Sequence, residues 1–499
     1  MNTIQSSNPQ EPVRTSIFYI NDLHGQFPKI PMIKSESDTF ELSTSKREDV
    51  DPLFLAGGDL FIGYTSPKNK VVSSFINSAG LEYSALGNHD VDSLDILKSN
   101  IGQTDAKFVT SNLKRYGKTP FDKYINDNKL TNSLTIQKNG HTYGIIGASP
   151  EVLSTKRHQA KMNKMNFEVE NYEETKKSIE EEIQKLQDQN IDKIIMVSHL
   201  GHAVDKQLAS QVSGIDVIIG GHSHDLVEGK KVVQAPDGNP VVITQAGQNG
   251  EYFGQLDIAF DDKGHLIEAT NTVVSTDSSP KSAVSVFFQD RILGKAIPLG
   301  NITHVDKMKG NSKVVENPYA NFFADAMKNE LGADIAMLNS ANIRGTLKTG
   351  TLNSLDLDNL TPFSNPLVKA KLSEKEIVDV IKQGAKSIND RMLKPGIMQV
   401  SGLKYKINDK GEVSTIKMLQ KDGSYKDLNL EKPSEEKQYT AVFDDFFLKS
   451  KEYSVLNPAT IIERYDFGKD KVAQNYIKKL DKDNIKIALD GRIENDYNK

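Results

Sequence analysis

The sequence contains no cysteine, and this absence removes three classes of chemistry. Disulfide bonds, thiolate zinc sites and cysteine nucleophiles are all excluded. The chain also lacks a run of about 18 consecutive apolar residues, the length that a membrane-spanning helix needs. We therefore expect no membrane segment.

An excess of positive charge is missing as well. The formal net charge is −5 at pH 7, so no basic field over the whole surface attracts nucleic acid. The first residues, MNTIQSSNPQEPVRTS, contain no apolar core of the kind found in a secretory signal. We predict a cytoplasmic monomer without nucleic-acid or membrane partners, or an extracellular or periplasmic protein if a leader has been removed.

Apolar strand candidates alternate with helical stretches over the first 280 residues, which is typical of a layered α/β domain. The strand candidates are SIFYI (16–20), PLFLA (52–56), YSAL (83–86), TYGIIGA (142–148), KIIMVS (193–198), DVIIG (216–220) and PVVITQAG (240–247). Residues 171–190 predict a helix, because Ile179, Ile183 and Leu186 recur at helical spacing.

A serine-rich stretch at 273–285, VVSTDSSPKSAVS, indicates a change of domain. We place a first domain at 15–278, a connecting helix and linker at 279–297, and a second domain at 298–499.

The second domain has helix signals of its own. NPYANFFADAMKNELGAD predicts a helix with Pro318 near its start and Gly332 at its end. A second helix is predicted by a capping box from Ser373 to Glu376, and it is expected to stop at Gly384.

Several strand candidates end in side chains that can ligate a metal ion. The segments are NDLHG, GGD, GNHDVD, SHLGH and GGHSH, and the candidate side chains in them are Asp22, His24, Asp59, Asn88, His89, Asp92, His199, His222 and His224. In open α/β sheets, sites form outside the carboxyl ends of the strands, so we expect these side chains to converge. The other histidines are interpreted as having no ligand role: His141, His158, His202, His265 and His304.

Imidazole, carboxylate and amide ligands favour Mn, Fe, Zn, Ni or Co over Ca or Cu(I). Seven of these nine side chains, taken as ligands, are too many for one ion but enough for two that share a bridge, and Asp59 is the natural bridge because a carboxylate can span two cations. Two divalent ions about 3.5–4 Å apart would clamp the oxygens of a phosphoryl displacement, and a water between them becomes a hydroxide nucleophile near neutral pH.

The five motifs, in this order, resemble those of the calcineurin-like metallophosphoesterases. More narrowly, residues 15–465 resemble the two-domain 5'-nucleotidase / 2',3'-cyclic nucleotide phosphodiesterase family. The resemblance implies a four-layer αββα sandwich followed by a smaller α/β domain. It also implies the metal ligands, which are Asp22, His24, Asp59 and His224 for one ion and Asp59, Asn88, His199 and His222 for the other. His89 matches the residue that stabilises transition-state charge on the phosphoryl group, and Asp92 matches its orienting acid.

The second half also resembles the family, whose substrate segment is commonly NSGGIR…PFxN. This chain has LNSANIRGTLKTGTLNSLDLDNLTPFSNPLV. Arg344 supplies a permanent forked cation for phosphate or a carboxylate, Phe363 offers a face on which a nucleobase can stack, and Asn365 can bond a base edge. The alternatives are a surface ion pair for Arg344 and a core position for Phe363.

Two segments depart from the family pattern. NSANIR has Ala341 and Asn342 where glycines are usual. YTAVFDDFFLKSKEYS stands where NDFLASGGDGY is typical, so that Phe446 aligns with a second stacking aromatic and Phe447 is its rival. The loop 448–454 has no glycine, and its bulk bears on nucleoside recognition but not on the phosphoesterase chemistry.

We therefore expect a metal-dependent phosphohydrolase that removes phosphate from nucleotides, with the base held between Phe363 and Phe446. The 5'-monophosphate is the first substrate to consider, followed by a 2',3'-cyclic nucleotide or a UDP-sugar. One alternative is the hydrolysis of a non-nucleotide phosphoester or a sulfur ester by the same core. A third hypothesis, a non-catalytic nucleotide-binding protein, is disfavoured by the complete ligand set.

Overall fold

The computed structural model describes residues 11–62, 67–92, 94–154, 162–229, 231–310, 313–363, 365–388, 396–456 and 459–497. His158 lies outside these ranges. The chain divides into two compact units, of which the first ends at Lys295 and the second begins at Ala296. The finer limits that we predicted for the domains and the linker stay predictions.

The first unit alternates strands and helices. Its strands are β1 Val13–Ile20, β2 Val50–Ala56, β3 Tyr83–Ala85, β4 Lys107–Val109, β5 Leu113–Arg115, β6 Leu130–Thr131, β7 Ser133–Lys138, β8 His141–Ala148, β9 Phe167–Val169, β10 Ile194–Ser198, β11 Val217–Ile219, β12 Lys231–Gln234, β13 Pro240–Thr244, β14 Tyr252–Phe260 and β15 Leu266–Ser275. Its helices are α1 Ile30–Thr44, α2 Pro67–Ala79, α3 Leu94–Gln103, α4 Asp122–Asn126, α5 Tyr172–Gln187, α6 His202–Ala209 and α7 Ala283–Leu293.

Two sheets form the inner layers of this unit. One sheet has the order β15-β14-β1-β2-β3-β4-β6 and the other has the order β12-β13-β11-β10-β8-β7. Their facing sides share one apolar cluster, which includes Leu55 of the first sheet and Val197 of the second. Helices cover the outer faces, where Ile183 of α5 packs on the second sheet and the ring of Phe40 in α1 lies 5.6 Å from that of Phe18. The predicted αββα sandwich is confirmed.

The strand directions explain why the motifs can meet. Strands β1, β2 and β3 are parallel neighbours in one sheet, and β10 and β11 are parallel neighbours in the other. Their carboxyl ends therefore lie together at one edge of each sheet. Each strand candidate of the sequence falls on an observed strand, whereas the antiparallel pair β14 and β15 was not predicted.

The second unit contains smaller sheets. Its strands are β16 Pro298–Val305, β17 Ile335–Asn339, β18 Gly350–Asn353, β19 Leu367–Ser373, β20 Met398–Ser401, β21 Leu403–Ile407, β22 Val413–Leu419, β23 Tyr425–Asp427, β24 Gln438–Asp444, β25 Thr460–Arg464, β26 Ile485–Ile487 and β27 Ile493–Asn495. Its helices are α8 Pro318–Glu330, α9 Ser354–Leu360, α10 Glu374–Ala385, α11 Phe446–Lys449 and α12 Lys469–Ile477.

The central sheet of this unit has the order β20-β17-β24-β19-β25. Smaller sheets have the orders β23-β22-β21-β27 and β18-β16-β26. One apolar cluster joins Ile381 of α10 to Met337 of β17, and another joins Phe323 of α8 to Leu338 of the same strand. Helices thus cover both faces of the sheet. Because β17 is parallel to β24 and β19 is antiparallel to it, the ends of β17 and β24 and the start of β19 share one edge.

The helix signals of the second unit are largely confirmed. Helix α8 has Pro318 at its first position, and both hydrogen bonds of the Ser373–Glu376 capping box form at the start of α10. The stop predicted at Gly384 is wrong by one residue, since α10 continues to Ala385. Gly384 instead allows close packing, because a Cβ atom there would lie 3.1 Å from the backbone nitrogen of Met398.

No helix in the part of the chain that the structure describes combines the length and apolar character needed to cross a bilayer.

Candidate metal centre

The metal-ligand candidates of the sequence lie just beyond the carboxyl ends of five strands. These are Asp22 and His24 after β1, Asp59 after β2, Asn88 after β3, His199 after β10, and His222 and His224 after β11. The first sheet thus supplies four of the side chains and the second supplies three.

The two aspartates stand at the middle of the group. Asp59 Oδ2 lies 3.3 Å from His24 Nε2 and 3.1 Å from His199 Nε2. Asp22 Oδ1 lies 3.3 Å from His224 Nε2, 3.8 Å from His24 Nε2 and 3.9 Å from His199 Nε2. The side chains of Asp22, His24, Asp59 and His199 are all buried. Oxygen and nitrogen atoms at this spacing can share a metal ion.

Hydrogen bonds on the far side of each ring turn Nε2 toward the carboxylates. His199 Nδ1 donates to the carbonyl oxygen of Gly57 at 2.6 Å, and His24 Nδ1 donates to Asn249 Oδ1 at 3.3 Å. A neutral imidazole held in this way presents the lone pair of Nε2 to the lone pairs of Asp59 Oδ2. A proton or a metal ion must lie between them.

The outer carboxylate oxygens are already occupied by protein donors. Asp22 Oδ2 accepts from Asn21 Nδ2 at 2.8 Å and from the backbone N–H of His222 at 2.9 Å. Asp59 Oδ1 accepts from the backbone N–H of His89 at 2.8 Å. Among the residues that the structure describes, three side-chain atoms of the group are buried without a hydrogen-bond partner, namely Asp22 Oδ1, Asn88 Oδ1 and His199 Nε2. Such atoms are costly unless a ligand satisfies them, so the residues fit a metal site.

The pKa values show the same demand for a cation. Burial would raise the pKa of Asp22, but nearby imidazolium charge outweighs burial and lowers it to about 2. Burial lowers the pKa of His24 to about 4 and, with the charge of His199, that of His222 to about 3. At His199 the two carboxylates outweigh burial and raise the pKa to about 10. A metal ion that binds His199 must displace this proton.

The backbone of the ligands is strained. Asp22, His24 and Asp59 have φ values of 49°, 48° and 51°, and His222 and His224 have φ values of 76° and 63°. This region costs a residue other than glycine about 1–3 kcal/mol, and it persists only where the surroundings impose it. The strand ends therefore hold the side chains in place before any ligand binds.

Paired glycines explain how the two sheets come together at this edge. A Cβ atom on Gly57 would lie 2.2 Å from the carbonyl oxygen of Gly220, and one on Gly221 would lie 2.2 Å from that of Gly57. The Gly-Gly pairs that precede Asp59 and His222 thus allow backbone contact between the sheets.

His89 and Asp92 stand beside the ligands. His89 Nδ1 lies 3.2 Å from Asp92 Oδ2, and the ring of His89 lies 5.3 Å from that of His24. His89 is also close enough to His24 and Asp59 to form a possible ligand group with them. The carboxylate of Asp90 accepts from the backbone N–H groups of Asp59 and Gly87 at 3.0 and 2.9 Å. These bonds join the loop after β2 to the loop after β3.

Sequence reasoning missed two asparagines that orient the ligands. Asn21 bonds Asp22, and Asn249 bonds His24 and also donates its N–H to the carbonyl oxygen of Asp22 at 2.7 Å. Asn249 belongs to a QNG turn and has a φ of 57°. An asparagine before glycine indicates a turn but does not indicate which side chain it will contact.

Histidines interpreted as ordinary have other partners. His141, His265 and His304 lie within 3.2 Å of Asp51, Asp261 and Asp306, respectively. His202 begins α6, and its backbone N–H donates to Ser223 Oγ at 3.1 Å.

The four predicted substrate residues of the second unit lie along the edge shared by β17, β19 and β24. Arg344 follows β17, Phe363 and Asn365 precede β19, and Phe446 follows β24. Each is half-buried. The guanidinium carbon of Arg344 lies 5.8 Å from the ring centre of Phe363, a cation–π contact.

The structure separates Phe446 from its rival. Phe447 is fully buried and stacks on Tyr453 with ring centres 4.6 Å apart, whereas Phe446 is half-buried and meets Tyr453 edge-on at 6.3 Å. Phe447 is therefore a core residue, and Phe446 is the better candidate for a ring that stacks on a base.

Comparisons with known proteins agree with this architecture. Residues 15–226 match the family model of the calcineurin-like phosphoesterases, and residues 298–457 match that of the 5'-nucleotidase C-terminal domain. The chain is a hydrolase of the metallophosphoesterase class. More narrowly, it belongs to the two-domain family in which a calcineurin-like phosphoesterase domain is followed by a 5'-nucleotidase C-terminal domain. Metallophosphoesterases use divalent metal ions, which the cluster of aspartates and histidines fits.

Similar proteins carry related names. The trifunctional nucleotide phosphoesterase protein YfkN of Bacillus subtilis is 26% identical over 444 residues, which are 80% of this chain and 30% of that relative. The 5'-nucleotidase of Mus musculus is 31% identical over 262 residues, 48% of this chain and 43% of the relative. The crystal structure of a 5'-nucleotidase precursor from Thermus thermophilus shares the fold, with a TM-score of 0.75, 23% identity and coverage of 97% of this chain and 100% of that one.

Proposed function

We propose that this protein hydrolyses the phosphate ester of nucleotides at a pair of divalent cations, with 5'-monophosphates as the first substrate class. The observation that carries the proposal is the inward side of the metal centre. There, His24 Nε2 and His199 Nε2 lie 3.3 and 3.1 Å from Asp59 Oδ2. Both rings already donate their Nδ1 protons, to Asn249 Oδ1 and to the carbonyl oxygen of Gly57.

Two ions explain this arrangement better than one. Asp59 Oδ1 is held by the backbone of His89, so Asp59 Oδ2 faces an imidazole from each sheet. We propose Asp22, His24, Asp59 and His224 as ligands of one ion and Asp59, Asn88, His199 and His222 as ligands of the other. The pair would activate a water and clamp the phosphoryl oxygens, and Mn, Zn, Fe, Co or Ni suit this donor set.

His89 is proposed as the residue that touches the reacting phosphoryl group. Asp92 accepts from His89 Nδ1, which fixes the ring, and a proton on Nε2 would then be donated to a phosphoryl oxygen. A donor aimed at charge that grows in the transition state lowers the barrier without binding the ground state more tightly.

Nucleoside recognition is proposed for the half-buried edge of the second unit. Phe363 and Phe446 would stack on the base, Asn365 would bond its edge, and Arg344 would attract an anionic group. The names of the relatives that include a nucleotide phosphoesterase and a 5'-nucleotidase support this substrate class.

A substrate panel tests the proposal directly. The purified protein is depleted of metal, reloaded with Mn, Zn, Co or Ni, and supplied with AMP, UMP, 2',3'-cyclic AMP, a UDP-sugar and p-nitrophenyl phosphate while phosphate release is measured. We expect about two ions per chain by elemental analysis and the highest kcat/KM for a nucleotide. Turnover of p-nitrophenyl phosphate with none of the nucleotides would indicate a non-nucleotide ester as substrate. Less than about one tightly held ion per chain would indicate a binding protein.

A further inference from the structure

A buried ion pair lies at the same edge of the second unit as the proposed nucleoside residues. Lys469 Nζ lies 2.8 Å from Asp444 Oδ2, and the two side chains are 1% and 0% exposed. Asp444 is the last residue of β24 and Lys469 is the first of α12. The pair therefore ties the end of the central sheet to the start of a helix.

Asn342 adds a third segment to this pair. Its Nδ2 donates to Asp444 Oδ2 at 2.9 Å, and its own side chain is buried. Asn342 is one of the residues that stand where the family pattern has glycine, and a glycine could not make this bond. Asp444 Oδ2 thus receives donors from the segment after β17 and from the start of α12.

Each member of this network is a near neighbour of a proposed nucleoside residue. Arg344 follows Asn342 by two residues, and Phe446 follows Asp444 by two residues. The segment of Asn365 is contacted both by a neighbour of Asp444 and by a neighbour of Lys469. On the side of Asp444, the backbone N–H of Asp445 donates to the carbonyl oxygen of Pro366 at 2.9 Å. On the side of Lys469, a Cβ atom on Gly468 would lie 3.5 Å from the carbonyl oxygen of Asn365.

Stability alone does not account for this arrangement. Removing two charges from water costs free energy that their attraction often fails to recover, and apolar residues of similar size are often as stable or more so. Asp444 Oδ1 is in addition buried without a hydrogen-bond partner among the described residues. What the charges provide over apolar packing is direction, because their bonds fix three segments at defined positions.

We propose that Asp444 and Lys469, with Asn342, are positioning residues that determine nucleoside specificity. They set the spacing of Arg344 and Phe446 and act through them without touching the substrate. This inference rests on the proposed function, since it concerns how the same protein would recognise a nucleotide.

The test compares two substrates in one protein. One is the nucleoside monophosphate that the wild-type protein hydrolyses best, and the other is glycerol 2-phosphate, which has no ring to stack. The measured quantity is the ratio of their kcat/KM values. We expect Lys469→Met to lower this ratio about tenfold, chiefly through the KM of the nucleotide, because a misplaced stacking residue loses the contribution of about one base contact.

A double variant separates specificity from stability. Lys469→Met leaves the Asp444 carboxylate buried and unpaired, which is strongly destabilising, whereas Asp444→Leu/Lys469→Met replaces both charges with apolar groups. We expect the double variant to melt at or above the temperature of the single variant and still to show the lowered ratio. A wild-type ratio in the double variant would overturn the inference, since packing alone would then suffice.

Arg492→Met is the matched control. Arg492 is buried and forms an ion pair with the partly exposed Asp325 at 2.8 Å, in addition to one with Asp490 at 2.7 Å. The pair with Asp325 lies at the opposite edge of the same sheet, where Asp325 accepts from Ser401 and Ser401 pairs with Ala336 at the start of β17. This variant should lower the melting temperature and keep the ratio, and an equal fall of the ratio would overturn the inference. If the wild-type protein hydrolyses glycerol 2-phosphate but no nucleotide, the proposed function fails first and this inference falls with it.

Discussion

The proposed metal ligands lie at one edge of the first unit, here called the metal edge, and five of the seven have positive φ values. Hydrogen bonds of 2.6–3.3 Å to neighbouring segments fix His199, His24 and Asp59. At the edge of the second unit that carries the four proposed substrate residues, here called the nucleoside edge, Arg344 and Phe446 are not among the described residues with a positive φ. Those four side chains are half-buried, and their segments are joined by one buried ion pair.

This difference matches what each edge is proposed to do. Phosphoryl transfer needs charges at fixed positions before the substrate arrives, because reorganisation during the reaction raises the barrier. Recognition of a nucleoside needs stacking faces and a few polar contacts, which tolerate small shifts. Substitutions at the metal edge should therefore affect every phosphoester, and those at the nucleoside edge should affect nucleotides selectively.

The largest effect is expected for Asp59→Asn. The amide would present an N–H₂ group or a neutral oxygen to both imidazoles, and it could not bridge two cations. Metal content should fall below one ion per chain, and kcat/KM for every phosphoester should fall more than about 1,000-fold, since all catalysis at the centre depends on the ions. Elemental analysis and phosphate release measure both, with Asp261→Asn on the surface as control. Unchanged activity would exclude Asp59 as the bridge.

His89→Ala tests whether His89 donates to the phosphoryl group or binds a metal ion. If His89 donates to the phosphoryl group, kcat should fall about 100- to 1,000-fold for nucleotide and non-nucleotide esters alike, while the metal content stays at the wild-type level. His89 also lies near His24 and Asp59 in a possible ligand group. Loss of an ion from the variant would make His89 a ligand instead.

Asn249→Gly tests the hydrogen bond behind His24. Glycine keeps the backbone at a φ of 57° but removes the acceptor for His24 Nδ1. Metal affinity should fall about 10- to 100-fold, as is usual when a second residue that orients a metal-bound histidine is lost. Calorimetric titration of the metal-free protein measures it. Asn190→Gly, at an exposed turn with a φ of 59°, is the control and should keep the wild-type affinity.

Phe446→Ala and Phe447→Ala form a pair of neighbouring substitutions at the nucleoside edge. Phe446→Ala should raise the KM of the nucleotide about tenfold, with little change for glycerol 2-phosphate, because one stacking face is lost. Phe447→Ala should lower the free energy of unfolding by about 3–5 kcal/mol, because a buried ring is removed from the core. Kinetics and denaturant unfolding distinguish them, and the reverse result would exchange the two assignments.

The smallest effect concerns the amino end of β11, away from the metal edge. Burial, with a contribution from Asp192, raises the pKa of Asp216 to about 8. The folded protein therefore holds a proton that the unfolded chain releases above its ordinary carboxyl pKa of about 4, so stability should decline as the pH rises from about 4 to about 8. Asp216→Asn should make the melting temperature less dependent on pH over this window. An equally steep dependence in the variant would exclude Asp216 as the source.

Much of the first unit could be predicted from the sequence. Strands such as SIFYI and KIIMVS are continuous apolar runs with a polar residue at the end, and parallel strands bring such ends together. The predicted convergence of Asp22, Asp59 and His199 follows from that rule, and the structure places His199 Nε2 within 4 Å of both carboxylates.

The remaining features depend on contacts between distant segments. No local pattern shows that Asn249 lies behind His24, since 225 residues separate them. The same holds for Lys469 at the start of α12, which is buried against Asp444, a residue 25 positions earlier in the chain. The sequence alone left both Phe446 and Phe447 as candidates for the second stacking aromatic. The packing of Tyr453 against Phe447 decides between them.

The division of the ligands between two sheets has a consequence for how the protein matures. Neither sheet alone carries a complete set for one of the proposed ions, so an intermediate with one sheet formed has no high-affinity site. Metal uptake would then follow assembly of the sandwich, and the bound ions would link its two sheets. Chelation should accordingly lower the melting temperature of the first unit and leave that of the second unchanged.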